Sequence, residues 1–533
     1  MTGARFIDAD EVARTIEDGA VVALTGSGGG ILEADHVFAA VERRFLAEGH
    51  PRDLTIVHGL GIGDGTTTGL TRFAHEGMVK RVIGGHWSWS PRMQELAATN
   101  AIEAYSFPAG VIAALLRDSG AGRPGLITKV GLHTFVDPRE SGGKINAAAT
   151  DDLVKLIEID GQEYLHYRPL PVDVGIIRGW SADRTGNVSA DQEASSLDAQ
   201  AVAIAARGNG GIVVAQVRQV VADGALDPRL MLVPSPLVDV IVEHPEQQQS
   251  RVSQLEPAFY TPGHFENSFH PAISPIEGAR GVIARRAAME VQSGCVLNVG
   301  YGMSAGAVDV LIEQGRLDDV TLCIEQGPVG GFPETGALFG LSRYPQAVFS
   351  SLLQFEFFAS GMIDLSILGM GEVDSHGNVN VSKLGRTTVG PGGFIDIVNG
   401  AKRVVFCGTF TGKGLKIEVG DGNLTIVAEG TLHKFVPLVG HLTFAAANAR
   451  RTGQPALYIT ERAVFELDDR GITLVEVAPG VDLERDILAH MDFRPNIGHV
   501  RPMPAEVFRS STQPGVLTGA ETVHHSPTEK VSS

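Results

Sequence analysis

The stretch Val320-Thr321-Leu322-Cys323-Ile324-Glu325-Gln326-Gly327-Pro328-Val329-Gly330-Gly331 joins a run of apolar and β-branched residues to a carboxylate and then to a glycine-rich turn. A short apolar run that ends in turn residues predicts a buried strand of a parallel sheet. Ligands of open α/β sheets bind at the carboxyl ends of such strands. Because Glu325 stands at that end, the stretch predicts an α/β fold and a reactive position within it.

The order strand, glycine loop, helix and strand occurs in two parts of the chain. The first copy contains the loop Gly26-Ser27-Gly28-Gly29-Gly30, and the second contains Gly300-Tyr301-Gly302-Met303-Ser304 and leads into the Glu325 stretch. A strand joined to the next strand through a helix is a βαβ unit, and such units build parallel sheets covered by helices.

A constant separation relates further segments of the two parts. Asp173, Asp183 and Gly186 recur 191 residues later as Asp364, Asp374 and Gly377, each within a similar local sequence. We therefore predict two related open α/β domains with mainly parallel sheets and an active site between them. The predicted boundaries are an N-terminal domain over 1–245, an extended linker over 246–280, a C-terminal domain over 281–510 and a disordered tail over 511–533.

Composition restricts the class of function. The chain has 533 residues and a net charge of −19, which opposes binding to nucleic acid or to an anionic membrane. No apolar run approaches the ~20 residues that a membrane-spanning helix needs, and the N-terminus lacks the apolar core of a signal peptide. We expect a cytoplasmic protein with small-molecule substrates. Its three cysteines, Cys295, Cys323 and Cys407, have no metal-ligand spacing and are interpreted as small buried residues, with no metal site.

The second glycine loop allows two interpretations that do not involve Glu325 chemistry. Gly302-Met303-Ser304-Ala305-Gly306 fits the nucleophile elbow, which would make Ser304 a nucleophile. The alternative, which we favour, is that Ser304 caps the helix that follows. Gly300 to Ala305 also fits a dinucleotide-binding loop, with Glu325 as the ribose-binding acid.

A third interpretation makes Glu325 the reactive group. A carboxylate held in a dry site can attack a thioester, because the thiolate leaves readily. The neighbouring glycines would admit a ligand close to the backbone and free N–H groups to bind an oxyanion. A glutamate at a strand end can also be only a solvated residue or a local cap.

Three motifs resemble those of the class I coenzyme A transferases. Within that family, they are most similar to the fused-chain acetate/propionate type. Glu325-Gln326-Gly327 with Gly330-Gly331 is similar to the Glu-x-Gly motif of that family, and Gly390-Pro391-Gly392-Gly393-Phe394-Ile395-Asp396 to Gly-x-Gly-Gly-Phe-x-Asp. Gly377-Asn378-Val379-Asn380-Val381-Ser382 precedes the second motif. The resemblance covers about residues 5 to 510, and the departure from it is Gln326, where close relatives carry Ser.

The resemblance implies a ping-pong reaction in which Glu325 accepts CoA from an acyl-CoA as a glutamyl-CoA thioester and passes it to a carboxylate. It implies a backbone oxyanion donor at Gly392 or Gly393, a hydrogen bond from Asn380 to Glu325, and a facing wall formed by Gly26, Gly28 and Gly29. Lys413 and Lys416 are candidates to bind the phosphates of CoA. CoA enters as a substrate, and no permanently bound cofactor is implied.

The implied substrates are short-chain acyl-CoAs and carboxylates of the acetate, propionate and 3-ketoacid class. The resemblance also implies a homo-oligomer, a tetramer or a dimer. Two alternatives stay open at this point. Water could intercept the glutamyl intermediate, which would make the protein a thioester hydrolase, or the chain could bind CoA without catalysis.

Overall fold

A computed structural model of the chain describes residues 3–261 and 276–509. Within these ranges the helices are α1 Ala9–Thr15, α2 Asp35–Glu48, α3 Pro91–Ala98, α4 Ala109–Gly120, α5 Ala199–Gly208, α6 Gly278–Ala288, α7 Gly306–Glu313, α8 Ser351–Ala359, α9 Phe394–Gly400 and α10 Ala446–Thr452. No helix of the described residues is both long enough and apolar enough to cross a bilayer. The predicted tail over 511–533 lies outside the described residues.

The N-terminal half is built on an eight-stranded sheet in which all neighbouring strands are parallel. In spatial order the strands are Arg5–Phe6, Val240–Glu243, Ile212–Val217, Val174–Arg178, Val21–Leu24, Leu54–His58, Val79–Gly84 and Glu103–Ser106. The central strand Val174–Arg178 is buried along its whole length, as its apolar sequence requires.

The C-terminal half contains a second eight-stranded sheet that is parallel on one side and mixed on the other. In spatial order its strands are Thr321–Leu322, Val296–Val299, Leu365–Gly369, Val404–Cys407, Ala456–Ile459, Ala463–Asp468, Gly471–Val477 and Asn496–Pro502. The strand Ala463–Asp468 is antiparallel to both of its neighbours. The two open α/β sheets confirm the predicted fold class.

Each half also contains smaller sheets. In the N-terminal half they are Gln219–Val221, Ser181–Asp183, Val188–Ser189 and Met231–Val233 in one sheet, and Leu126–Thr128, Gln162–Tyr167 and Val154–Ile159 in another. In the C-terminal half they are Val379–Asn380, Glu372–Asp374 and Phe435–Val436, and the pairs Pro328–Val329 with Ala347–Val348, Phe332–Pro333 with Ser342–Arg343, Lys383–Leu384 with Thr387–Thr388, Thr411–Gly412 with Leu432–His433, and Lys416–Gly420 with Asn423–Ala428.

The internal repeat extends to atomic detail. Shifted by 191 residues, the strands Val174–Arg178 and Leu365–Gly369 have the same bounds. The Asp173 carboxylate accepts a hydrogen bond from the N–H of Val21 at 2.8 Å, and Asp364 accepts one from Val296 at 2.9 Å. Each aspartate thereby fixes the first residue of the neighbouring strand in its own sheet, so the same interaction occurs in both halves.

One local prediction was wrong. The Glu325 stretch forms strand only over Thr321–Leu322, at the edge of its sheet, because the chain reverses after Ile324 and Cys323 pairs with Val329. Part of the predicted linker is buried against the N-terminal half. Gln247 and Gln249 are 3% and 0% exposed, and their side-chain amides donate to the carbonyls of Gly179 and Gln192.

One hydrophobic cluster spans both halves, and a second lies within the C-terminal half. Helices α4, α8 and α9 pack on one another where the halves meet, and their buried residues belong to the cluster that fills the N-terminal sheet. The carboxyl ends of both parallel sheets are therefore held in a fixed relation, which places residues of both halves around one cavity.

Candidate active site

Glu325 lies at the tip of a tight turn. The N–H of Gly327 donates to the carbonyl of Ile324 at 2.9 Å, and the N–H of Ile324 donates to Pro328 at 3.0 Å. Gly327 has φ 120°, a conformation that favours glycine. From the N-terminal half, Ser195 Oγ donates to the carbonyl of Gln326 at 2.5 Å. The turn therefore holds Glu325 in one position between the halves.

The Glu325 side chain lines a cavity of about 210 Å³ between the two halves. His86 contributes from the N-terminal half, and the C-terminal half supplies apolar walls from Leu368, Val381, Phe394 and Ile397. Tyr301 and Phe339 also line the cavity, with ring centroids 5.0 Å apart in an edge-to-face arrangement. One carboxylate thus faces a mainly apolar space.

The glycine loop 390–393 forms the side of the cavity next to Glu325. The Gly393 N–H faces the Glu325 carboxylate and stabilises its charged form. The Gly392 N–H points elsewhere and donates to the carbonyl of Gly85 at 2.9 Å, while the Gly392 carbonyl accepts from Ala109 at 2.8 Å. Of the two predicted oxyanion donors, the N–H of Gly392 is therefore used in a hydrogen bond to the N-terminal half, and the N–H of Gly393 faces the Glu325 carboxylate.

Asp396, the last residue of the glycine motif, ties the loop to the other half. Its carboxylate is 6% exposed and accepts a hydrogen bond at 3.0 Å from the N–H of Gly110, in the first turn of α4. The pKa of Asp396 is raised to about 8, mainly by burial and also by the nearby Glu325 charge, against the opposing effect of the N–H groups of Gly110 and Val111. Asp396 is thus a positioning residue for the loop.

Burial raises the pKa of Glu325 to about 7, against the opposing effects of the Gly393 N–H and the Gln326 side chain. The Gln326 amide is 3.4 Å from Glu325 Oε1, a long contact. Burial also lowers the pKa of His86 to about 4, helped by the neighbouring His58, so His86 is neutral at pH 7. A carboxylate that is poorly solvated is a stronger nucleophile than one in water.

This pKa gives a testable pH dependence. Only the ionised carboxylate can attack, so the rate of the first half-reaction should rise about tenfold per pH unit below pH 7 and level off above it. Single-turnover measurements between pH 5.5 and 8.5 would show the profile. A rate that is constant from pH 5.5 to 7 would contradict the raised pKa.

The prediction that Asn380 hydrogen-bonds Glu325 was wrong. Its side-chain amide donates to Glu372 Oε2 and to the carbonyl of Lys383, both at 2.7 Å, and its Oδ1 accepts from the N–H of Ser382 at 3.1 Å. Asn380 is fully buried and shapes the turn that precedes the glycine loop.

The predicted CoA-binding residues lie away from the Glu325 cavity. Gly26, Gly28 and Gly29 pack against protein atoms, and a methyl group added at Gly29 would overlap the carbonyl of Ala337. Gly29 therefore supports the segment that leads to Phe339, behind the cavity wall, whereas Gly26 packs against Glu33 and Ile62 and Gly28 against Trp89. Lys413 and Lys416 are exposed to solvent, and neither lines that cavity.

Ser304 neither caps α7 nor faces the cavity. Its hydroxyl is 1% exposed and donates to the carbonyl of Gly300 at 2.8 Å, and α7 begins after Ala305 without a side-chain cap. The favoured helix-cap interpretation was therefore wrong. Ser304 does not line the Glu325 cavity and its hydroxyl is hydrogen-bonded to the carbonyl of Gly300, which argues against the nucleophile alternative.

Replacing Ser304 by Ala should leave the rate of CoA transfer within about threefold of the wild-type value. The expected cost is one hydrogen bond, about 1 kcal/mol of stability. Steady-state kinetics and a urea melt test this. An inactive but folded Ser304→Ala enzyme would restore the serine mechanism.

Sequence reasoning missed His86, Tyr301 and Phe339 as cavity residues. His86 lies two residues after the last residue of the strand Val79–Gly84, so it stands at the carboxyl end of a parallel strand, and the rule applied to Glu325 would have found it. Phe339 carries no such signal, because its segment reaches the cavity only through the return of the chain after Gly331.

Comparisons with known proteins agree with this geometry. The family model described as Coenzyme A transferase matches residues 7–244. Acetate CoA-transferase YdiF of Escherichia coli (strain K12) is 41% identical over 491 residues, 92% of each chain. Caffeate CoA-transferase of Acetobacterium woodii is 39% identical, over 93% of this chain and 95% of that protein.

A solved structure extends the likeness to the fold. The crystal structure of the acyl-CoA transferase YdiF from E. coli O157:H7, in a thioester complex with CoA, superposes with a TM-score of 0.89 at 39% identity and covers 95% of this chain and 96% of that chain. The likeness spans both halves and the cavity between them. The chain therefore belongs to the coenzyme A transferase family and is a CoA-transferase.

Proposed function

We propose that the enzyme transfers CoA from an acyl-CoA to a short-chain carboxylate by a ping-pong mechanism through a thioester on Glu325. The observation that carries the proposal is the Glu325 carboxylate in an apolar cavity, opposite the N–H of Gly393 and with a raised pKa. The solved relative in a thioester complex with CoA supports the same chemistry.

The steps follow from this arrangement. A carboxylate oxygen of Glu325 attacks the thioester carbonyl, the C–S bond breaks, and a mixed anhydride and CoA thiolate result. The thiolate then attacks the Glu325 carbonyl carbon, and the bond between that carbon and the bridging oxygen breaks, so the acyl group leaves with that oxygen as the first carboxylate. The second carboxylate reverses both steps and leaves as the new acyl-CoA. The Gly393 N–H is placed to donate to the oxyanion next to Glu325.

The cavity supports a small aliphatic acyl group. Its volume is about 210 Å³, its walls are largely apolar, and part of the space must hold the end of the pantetheine arm. The two relatives are named for carboxylates of different size, acetate being small and caffeate larger. We therefore infer acetate and propionate as substrates.

The test is to incubate the enzyme with acetyl-CoA, without an acceptor, and to weigh its peptides. A CoA adduct is expected on the peptide that contains Glu325. A folded enzyme that consumes acetyl-CoA without any such adduct would overturn the covalent route. Consumption that depends on added propionate distinguishes transfer from hydrolysis by water. The homo-oligomer and the cytoplasmic location stay predictions, which light scattering and cell fractionation can test.

A further inference from the structure

A small apolar chamber lies directly beside the Glu325 cavity. It has a volume of about 30 Å³, which admits a water-sized group but no longer chain. We call it the side chamber. Four of the described residues line both spaces and so form the wall between them: Val299, Gly300, Ile324 and Phe339. An acyl group that extends from Glu325 in this direction therefore ends at this wall.

Phe339 is the part of the wall that a substitution can remove. Val299 ends a strand and Ile324 begins the tight turn, so both are fixed by backbone hydrogen bonds. Gly300 has no side chain. Phe339 follows a single helical turn outside the sheet, and its ring lies edge-to-face on Tyr301, with the ring centroids 5.0 Å apart. The ring of Phe339 is therefore the largest removable barrier between the two spaces.

The segment that carries Phe339 is held from two sides. A methyl group added at Gly29 would overlap the carbonyl of Ala337, so the N-terminal half packs directly against this segment. A methyl group added at Gly340 would come within 2.6 Å of the Gln326 side chain. Gln326 is 3% exposed and is the neighbour of the reactive carboxylate in the sequence. The backbone of Phe339 is thereby fixed relative to that carboxylate, as a length limit requires.

The side chamber suits an alkyl chain. Beyond the shared wall, its apolar lining consists of Ala305, Val308, Leu322, Cys323 and Pro333. Two acids also line it, and both have cationic partners. Asp309 lies 3.6 Å from Arg280, and Glu334 pairs with Arg343. A ligand carboxylate would lose its hydration next to these acids, which is unfavourable, so an unbranched hydrocarbon end is the chemistry that fits.

We propose that Phe339 is a specificity-determining residue that limits the acyl group to short chains, and that the side chamber is the space that a longer unbranched chain would enter. The proposal rests on the proposed function, because it takes the acyl carbonyl to lie at Glu325. With the ring in place, a cavity of about 210 Å³ must hold the acyl group and the end of the pantetheine arm. Without the ring, the two apolar spaces become one.

The test compares acyl-CoAs of different length in the transfer reaction at fixed propionate. Phe339→Ala should raise the ratio of kcat/KM for hexanoyl-CoA to that for acetyl-CoA about 50-fold, because each buried methylene group contributes about fourfold. Phe339→Leu should give a smaller rise, about fivefold. Adipyl-CoA has the same chain length but ends in a carboxylate, so it should gain less than about threefold. A hexanoyl-to-acetyl ratio within about threefold of the wild-type value in Phe339→Ala, or an equal gain for adipyl-CoA, would overturn the proposal.

Two variants separate the side chamber from a general enlargement of the site. Val381→Ala widens the Glu325 cavity away from the side chamber, so it should change the ratio less than about fivefold. Ala305→Met fills the side chamber, so it should keep the acetyl-CoA rate of the wild type and remove most of the gain of Phe339→Ala. Equal gains in Val381→Ala and Phe339→Ala, or a gain that survives Ala305→Met, would contradict the assignment. If melting curves show that Phe339→Ala does not fold, Phe339→Leu with and without Ala305→Met decides the outcome.

A binding measurement keeps this assignment independent of the chemistry at Glu325. Titration calorimetry with hexanoyl-CoA and acetyl-CoA compares Glu325→Gln with the double variant that also carries Phe339→Ala. The affinity ratio should shift toward hexanoyl-CoA in the double variant, by about as much as the kinetic ratio. A CoA adduct on the wild type without such a shift would overturn the role of Phe339 and leave the covalent route intact. A shift without any adduct would support the role of Phe339 and overturn the covalent route.

Discussion

Replacing Glu325 by Gln is expected to lower the rate of CoA transfer by about 10⁴-fold or more and to abolish the CoA adduct. The amide keeps the size of the side chain and its place opposite Gly393, but it has no anionic oxygen that could attack a thioester. Glu325→Asp keeps the carboxylate and retracts it by one methylene group, so a smaller but still large loss is expected. Quenched single-turnover reactions followed by peptide mass measurement would determine both.

Stability provides the control for this loss. A carboxyl whose pKa is about 7 in the folded enzyme and 4.5 when solvated is more easily ionised in the unfolded chain. It therefore costs stability as pH rises from about 4.5 to about 7, and the cost is complete above that. Glu325→Gln should be more stable than the wild type by about 1 to 3 kcal/mol at pH 8, and by little at pH 4.5.

Urea melts at the two pH values measure this difference. An inactive Gln variant that is also less stable at pH 8 would mean that the loss reflects damage to the fold. A Gln variant that transfers CoA at a tenth of the wild-type rate or faster would remove Glu325 from the chemistry and return attention to His86, the other polar group that faces the cavity from the opposite half.

The repeat and the fold were predictable because local chemistry carries them. Asp183 and Asp374 each accept backbone N–H groups from residues two and four positions later, which is a short-range turn that any copy of the sequence forms. Strand bounds follow from apolar runs between such turns. The predicted position of Glu325, at the carboxyl end of a parallel strand, followed from the same local rules, although the strand itself is shorter than predicted.

Contacts between the halves were not predictable in this way. Gly392 and Gly393 are adjacent in the motif, yet one donates to Gly85 and the other faces Glu325, and only the position of the N-terminal half decides which. The same holds for Asn380. Its side-chain amide donates to Glu372 on the preceding strand and not to Glu325. Lys144 and Lys383 line one cavity at the junction of the halves, although they are more than 200 residues apart in the sequence.

Adding a methyl group at Gly393 is expected to lower the rate of adduct formation by about 10²- to 10³-fold, because it pushes the Glu325 carboxylate away from the N–H of Gly393 and so has an effect comparable to the loss of one oxyanion donor. The methyl would overlap Glu325 Oε2, so the carboxylate must leave its place. The backbone itself tolerates the change, because Gly393 has φ −84°, which alanine adopts freely. The methyl would also lie 2.8 Å from the ring of Phe355. Part of the effect could therefore come from packing.

Two further variants separate these causes. Gly393→Ala combined with Phe355→Leu relieves the contact with the ring but not the one with Glu325, so it should recover the melting temperature without recovering the adduct. Gly392→Ala supplies the opposite case. Its φ of 51° disfavours alanine by about 1 kcal/mol, but its methyl would meet nothing closer than 3.7 Å, at His86 Cδ2. It should lose stability and keep most of the adduct rate. Only Gly393 has its N–H against the Glu325 carboxylate, so the two variants should differ in their rates of adduct formation. Similar rates would show that the loop acts through its backbone conformation and would contradict this prediction.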